Sequence, residues 1–134
     1  MKKILMTLAI ILGLMVTAFQ DKPKFDLKAS MAKGQTIYTT YCTSCHMENG
    51  EGIEDVYPPL AKSDYLMADK VRMIKQILFG ATGNMKVNGK TYNGEMTGFN
   101  LTDEEMSNLA NYIRNSFGNK GTAVTPENVK GARK

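Results

Sequence analysis

The 134 residues carry 17 Lys and Arg against 13 Asp and Glu, a net charge of +4, with 43% hydrophobic and 22% charged residues. That is one domain of ordinary globular composition. It is too small for a multidomain enzyme with a separate cofactor fold, and too mildly basic to argue for nucleic acid. The metal-binding residue types exclude more. There are two cysteines, Cys42 and Cys45, one histidine, His46, and no tryptophan. A zinc site of four cysteines, or of two cysteines and two histidines, is therefore ruled out, as is any mechanism that needs two histidines of this chain.

In chain order, Lys2 and Lys3 precede an apolar run of 16 residues, Ile4 to Phe19. A positive start followed by such a run reads as a secretory signal over residues 1–18. Val16-Thr17-Ala18 offers short residues for cleavage after Ala18. The competing reading is an uncleaved anchor, although a spanning helix needs about 20 apolar residues. Either way the body is expected outside the cytoplasm, in the periplasm or on the outer face of the membrane. Cleavage would remove two lysines and leave 15 basic against 13 acidic residues, or +2.

Residues 19–29 are charged, contain Pro23, and read as a lead-in. Ser30 is the expected cap of a helix over 31–41, in which Gly34 suggests close approach by another helix. Asn49-Gly50 marks a turn and Tyr57-Pro58-Pro59 an extended stretch. Ser63 or Asp64 is expected to cap a short helix through Met67. Asp69 is expected to cap a second over 70–79, stopped by Gly80.

Residues 80–100 hold glycines at 80, 83, 89, 94 and 98. Val87-Asn88-Gly89-Lys90 suits a tight hairpin, within a Gly-rich loop whose apolar residues argue that it packs on something. The clearest helix runs from Thr102 to about Phe117. Thr102 and Glu105 form a capping box, Leu101 and Met106 a staple, and Met106, Leu109, Ala110, Ile113 and Phe117 a buried stripe. Thr125-Pro126 starts a last short helix in a C-terminal extension, 119–134. The domain between, 30–118, is expected to be all-α.

Cys42-Thr43-Ser44-Cys45-His46 fits C-x-x-C-H, the spacing of c-type haem attachment. Two thiols three apart reach both vinyl groups of one porphyrin, and the next imidazole points at the iron. Three other readings compete. A thioredoxin-type couple normally sits in a βαβ context, and the chain has no such pattern. Zinc would need a fourth ligand around three that are bunched in five residues. A structural disulfide closing so short a loop would stabilise little.

A haem iron held by His46 needs another ligand, and bis-His ligation within the chain is impossible. A methionine thioether raises the potential, and a processed chain offers Met31, Met47, Met67, Met73, Met85, Met96 and Met106. Met47 adjoins His46 on the wrong face. Met31, Met73 and Met106 sit on helix stripes, where a core role competes, and Met67 ends a short helix. Met85 and Met96 lie in the Gly-rich loop. Met96 is flanked by Gly94 and Gly98 and is nearer the long helix.

From Ala29 to Gly118 the sequence resembles a class I mono-haem cytochrome c of the bacterial type. Gly34-x-x-x-Tyr38-x-x-x-Cys42 resembles the family's first helix, and Leu109-x-x-Tyr112 the last helix that crosses it. Pro58-x-Leu60 resembles the segment whose proline carbonyl accepts from the ligand histidine and whose leucine packs on the haem. Tyr92-Asn93-Gly94-Glu95-Met96, with Phe99 and Leu101, resembles the Met-ligand loop, although Met96-Thr97 stands where Met-Pro is frequent.

The resemblance implies the small helical fold around one covalent haem c, bound by Cys42, Cys45, His46 and Met96, with iron between His46 and Met96. It implies one-electron transfer between redox protein partners that dock transiently at the haem edge, not substrate catalysis. Lys62, Lys86 and Lys90 are considered as a basic rim there, against a merely solvated surface. Two alternatives stay open: an electron-entry subunit of a larger oxidase, reductase or dehydrogenase, and a haem-based gas sensor in which Met96 leaves the iron.

Overall fold

The computed structural model describes residues 24–134; the expected signal over 1–18 and the start of the lead-in lie outside them. Helix α1 spans Leu27–Tyr41 and runs directly into a single turn, α2, at Thr43–His46. Two helices follow, α3 at Asp64–Ala68 and α4 at Lys70–Phe79, then a hairpin of β1, Asn84–Val87, and β2, Lys90–Asn93. Helices α5, Asp103–Asn115, and α6, Pro126–Ala132, complete the chain.

The hairpin corrects the all-α expectation. β1 and β2 pair antiparallel, with Met85 opposite Tyr92 and Val87 opposite Lys90. Asn88 and Gly89 both take positive φ, +50° and +84°, which is the twist a two-residue hairpin turn requires. The turn dipeptide therefore generates a small sheet within an otherwise helical domain.

Ser30 is not a cap. Asp26 caps α1, its carboxylate accepting from Ala29 N–H at 3.0 Å, so the helix begins a turn earlier than expected. Ser30 is buried instead and donates to Asn108 Oδ1 at 2.7 Å. The other caps are where the sequence puts them. Ser63 caps α3 and Asp69 caps α4. Thr102 and Glu105 form a reciprocal box on α5, and Thr125 and Asn128 do the same on α6. Helix α5 stops at Asn115, before the expected Phe117, because Ser116 is extended and Phe117 turns to φ +57°.

The core forms where α1 crosses α5. A Cβ on Gly34 would lie 2.0 Å from the Asn108 carbonyl oxygen and 2.8 Å from Tyr112 Cβ, so only glycine lets the two backbones meet. Beside the crossing, the rings of Tyr38, Tyr112 and Phe117 pack with centroids 5.2–5.4 Å apart, and Ile74, Met106, Leu109 and Ile113 are buried with them.

The C-terminal segment is bound to this core. Asn111 on α5 donates to the Val124 carbonyl at 2.8 Å and accepts from Val124 N–H at 2.7 Å. Val124 and Val129 are fully buried, and Arg133 Nε reaches Asp103 at 2.6 Å.

Candidate functional site

Cys42 is both the last cap of α1 and the first of α2. Its N–H donates to the Tyr38 carbonyl at 2.8 Å, and its own carbonyl accepts from His46 N–H at 2.9 Å. This single turn puts Cys42, Cys45 and His46 on one cavity. Met47 then leaves at φ +63°, its carbonyl held by the Tyr38 hydroxyl at 2.7 Å.

The loop after the motif is wound back onto it. Gly52 N–H donates to the His46 carbonyl at 3.0 Å. Gly52 has φ +68°, and a Cβ there would meet the Tyr57 carbonyl oxygen at 2.3 Å, so glycine permits the fold-back. The result places Pro58 O 3.0 Å from His46 Nδ1. A donated Nδ1–H fixes the tautomer and leaves the Nε2 lone pair for a metal. Burial holds His46 below its ordinary value of 6.5, with the Pro58 hydrogen bond pulling the other way; the ring is neutral at pH 7.

Met96 is held from the opposite side of the sequence. It exchanges backbone hydrogen bonds with Ala81 at 2.9 and 2.8 Å, pinning the loop to the end of α4. Gly98 lets that loop lie against Leu78 and Phe79, where a Cβ would sit 2.6 Å from Leu78 O.

The cavity between these elements has a volume of about 530 Å³, a size suited to one bound organic group. Leu60, Leu66, Ile77, Phe99, Leu109 and Ile113 are among its walls. Of the methionines considered, Met73, Met85 and Met96 line it, whereas Met31, Met47, Met67 and Met106 do not. Both loop methionines therefore border the space. Met85 Sδ lies 3.8 Å from Gln76 Nε2.

The competing readings of the motif fit less well. Both cysteines are unpaired. Burial, with the neighbouring Cys45 adding to it, pushes the Cys42 thiol up to about 11, whereas a catalytic thiol needs a lowered value. Among the described residues, no three His, Cys, Asp or Glu side chains are gathered to hold a metal ion. Two thiols, an imidazole with its far nitrogen tied off, a thioether and an apolar cavity are the donor set of a thioether-linked haem.

Of the three lysines weighed as a basic rim against a solvated surface, one is neutralised by acidic neighbours. Lys90 is held at 2.8 Å by both Glu54 and Asp55. The exposed apolar residues Tyr41 and Val56 stand at the cavity lining instead. Sequence reasoning also missed Tyr65, Arg72 and Gln76, three polar side chains on the wall. The one available signal was Arg72 and Gln76 spaced i, i+4 on a helix otherwise read for its apolar face.

Comparison with known proteins agrees with this geometry. The family model described as Cytochrome c matches residues 31–117. Cytochrome c-552 of Thermus thermophilus is 37% identical over 117 residues, covering 80% of this chain and 78% of that one. The Cbb3-type cytochrome c oxidase subunit CcoP of Azospirillum brasilense is 32% identical over 69% of this chain, which spans 30% of its length. The fructose dehydrogenase cytochrome subunit of Gluconobacter japonicus is 29% identical over 75% of this chain, which spans 22% of its length.

Proposed function

The chain belongs to the cytochrome c family, whose mono-haem members transfer electrons through one covalently attached haem c, and from that premise we propose that Cys42 and Cys45 would carry the two thioethers while His46 and Met96 would hold the iron. What supports this most is that all four side chains border one apolar cavity, with His46 Nδ1 already committed to Pro58 O.

The bound group supplies a one-electron Fe(III)/Fe(II) couple. The protein does the rest. Pro58 O orients the imidazole and fixes its tautomer, and burial keeps it neutral. The antiparallel bridge between Ala81 and Met96 presents the thioether, a soft donor that favours the reduced state. The apolar walls exclude water and disfavour the more highly charged state. Were His46 and Met96 both to hold the iron, no position would be left for a substrate, and the domain would act as a carrier. Tyr41 and Val56, exposed beside the attachment turn, offer an apolar contact to redox partners in small transient interfaces. The apolar segment 4–19 supports export to the periplasm or the outer face of the cytoplasmic membrane.

The test is maturation in a host competent for cytochrome assembly. A haem-stained band on a denaturing gel and two thiols closed to alkylation are expected. A colourless chain with both sulfurs alkylatable overturns the assignment.

A second reading is favoured by the relatives named as subunits of an oxidase and a dehydrogenase. In it, this domain feeds electrons to a larger enzyme. Copurification with such an enzyme at a fixed stoichiometry would support it, and a chain isolated alone from its native membranes would favour the free carrier.

A further inference from the structure

We propose that Asp64 and Asn88 are positioning residues for the Met96 loop. With a second tie at Lys90 they strap the β1–β2 hairpin along the cavity and limit how often the Met96 thioether yields to an outside ligand. This deepens the reading above, in which Met96 holds the iron, and rests on it.

The hairpin is a wall of the site. Met85 and Val87 from β1 line the cavity, and Gly94, Glu95 and Met96 continue the lining after β2. The segment is a loop with a closed neck, because Ala81 and Met96 pair at its base. Met96 therefore stands where the loop leaves the body of the protein. A loop closed only at its neck pivots there, so whatever holds the far end bears on Met96.

Two ties hold that end. At the tip, Asn88 N–H donates to Asp64 Oδ1 at 2.7 Å, and Asp64 N–H donates to Asn88 Oδ1 at 3.0 Å. These reciprocal bonds fasten the hairpin turn to the first residue of α3, 24 residues away in sequence. Ser63 already caps α3, which leaves the Asp64 carboxylate for the hairpin. Asn88 has φ +50°. Glycine holds such an angle at least cost; asparagine adds the amide oxygen that Asp64 N–H uses. Along the side, Lys90 Nζ lies 2.8 Å from both Glu54 and Asp55, in the segment that runs from His46 to Pro58. The hairpin is thus bound to the stretch that fixes the imidazole as well as to α3.

Burial of Val87 and Tyr92 secures the hairpin's fold. The ties instead lie at the surface, where hydrogen bonds and ion pairs are weak and open readily. That suits them to set an opening rate.

The experiment uses oxidised holoprotein matured in a cytochrome-assembling host and mixed with imidazole at pH 8, where the uncharged base predominates. The limiting rate at high imidazole reads how often the thioether position opens, and loss of the Met–iron charge-transfer band reports the exchange. A wild type without that band overturns the ligand reading and this one with it; a wild type that has it isolates the present inference. N88G keeps the turn angle and deletes the amide oxygen, and D64A deletes the carboxylate. Each is expected to raise the limiting rate about fivefold, the factor that one ordinary hydrogen bond supplies. D64N retains the acceptor oxygen and is expected to stay near the wild type. K90Q is expected to raise the rate at low salt and to abolish its rise with salt, since imidazole is uncharged and salt then acts on the ion pairs. Wild-type rates in both N88G and D64A, or a D64N rate as high as that of D64A, overturn the inference. A K90Q rate equal to the wild type at low salt overturns the second tie. If the tip variants do not accumulate, the wild type decides by itself. The Asn88 N–H bond, read by hydrogen exchange, must open at least as often as imidazole enters. An amide that opens more rarely than the ligand exchanges overturns the inference.

Discussion

The Pro58 carbonyl oxygen stands 3.0 Å from His46 Nδ1, twelve residues further along the chain, and the loop between them is folded by Gly52 at φ +68°. Because the acceptor is a backbone oxygen, the proline ring matters less than the path that delivers it. Gly52→Ala would drive a Cβ to within 2.3 Å of Tyr57 O and 2.8 Å of Pro58 O. The loop must shift, at a cost of about 1–3 kcal/mol for the strained backbone, and the Nδ1 hydrogen bond lengthens. A less strongly donated Nδ1–H makes the imidazole a poorer electron donor, so the reduction potential is expected to rise in G52A. Pro58→Ala keeps the carbonyl and is expected to leave the potential near that of the wild type. Potentiometry on the pair checks both; a potential that moves in P58A and not in G52A would sink the account.

The sixth ligand is decided by a second pair. Met85 and Met96 both border the cavity, but Met96 sits on the bridge to Ala81, whereas Met85 Sδ lies near the Gln76 amide. Met96→Ala is expected to lower the potential and abolish the Met–iron charge-transfer band. Met85→Ala is expected to leave the band in place. The reverse pattern would transfer the ligand role to Met85.

These residues also show what a sequence can and cannot reveal. The attachment turn, the caps at Asp69, Thr102 and Thr125, and the Asn88-Gly89 hairpin are written within a few residues, because the partners are neighbours in the chain. Gly34 was legible as a site of close approach, since glycine in mid-helix has few other uses. Ser30 was misread as a cap because its real partners, Asn108 and Asn111, lie 78 and 81 residues away. Arg72 escaped for a similar reason: its polar surroundings come from α3 and from the cavity, and neither is visible in the local pattern of α4. Asn111 drew no reading from the sequence, because its partner Val124 lies 13 residues on and outside the helix, yet it is the clamp that binds Val124.

The capping box on α5 makes stability depend on acid. Hydrogen bonds from the Thr102 backbone, and then from its hydroxyl, hold Glu105 below the ordinary glutamate value of 4.5. A carboxylate lowered on folding contributes stability that is complete above its unfolded value and is lost as pH falls through its folded one. Unfolding at a series of pH values below 5 is expected to show Glu105→Gln with a shallower loss than the wild type, the two differing most above pH 4.5. Thr102→Ala removes the acceptor for Glu105 N–H and is expected to cost about 1 kcal/mol at neutral pH. Equal acid slopes for E105Q and the wild type would show that the box contributes nothing through its charge.

Among the described residues, the helical glycines Gly34 and Gly131 should respond in opposite directions. At Gly34 an added methyl meets backbone, not a flexible side chain: the Asn108 carbonyl oxygen at 2.0 Å and its carbon at 2.6 Å. Helices α1 and α5 would have to separate, disturbing the Ser30–Asn108 hydrogen bond and the Tyr38–Tyr112 ring contact together. Gly34→Ala is therefore expected to destabilise by about 3 kcal/mol, the upper end for an overpacked core. Gly131 lies within α6 with nothing inside 4 Å of its Cβ direction. There the better helix propensity of alanine is unopposed, and Gly131→Ala is expected to stabilise by about 0.5–1 kcal/mol. Denaturant unfolding of the holoprotein reads both. A G34A protein as stable as the wild type would mean that the α1–α5 crossing is looser than the 2.0 Å contact requires.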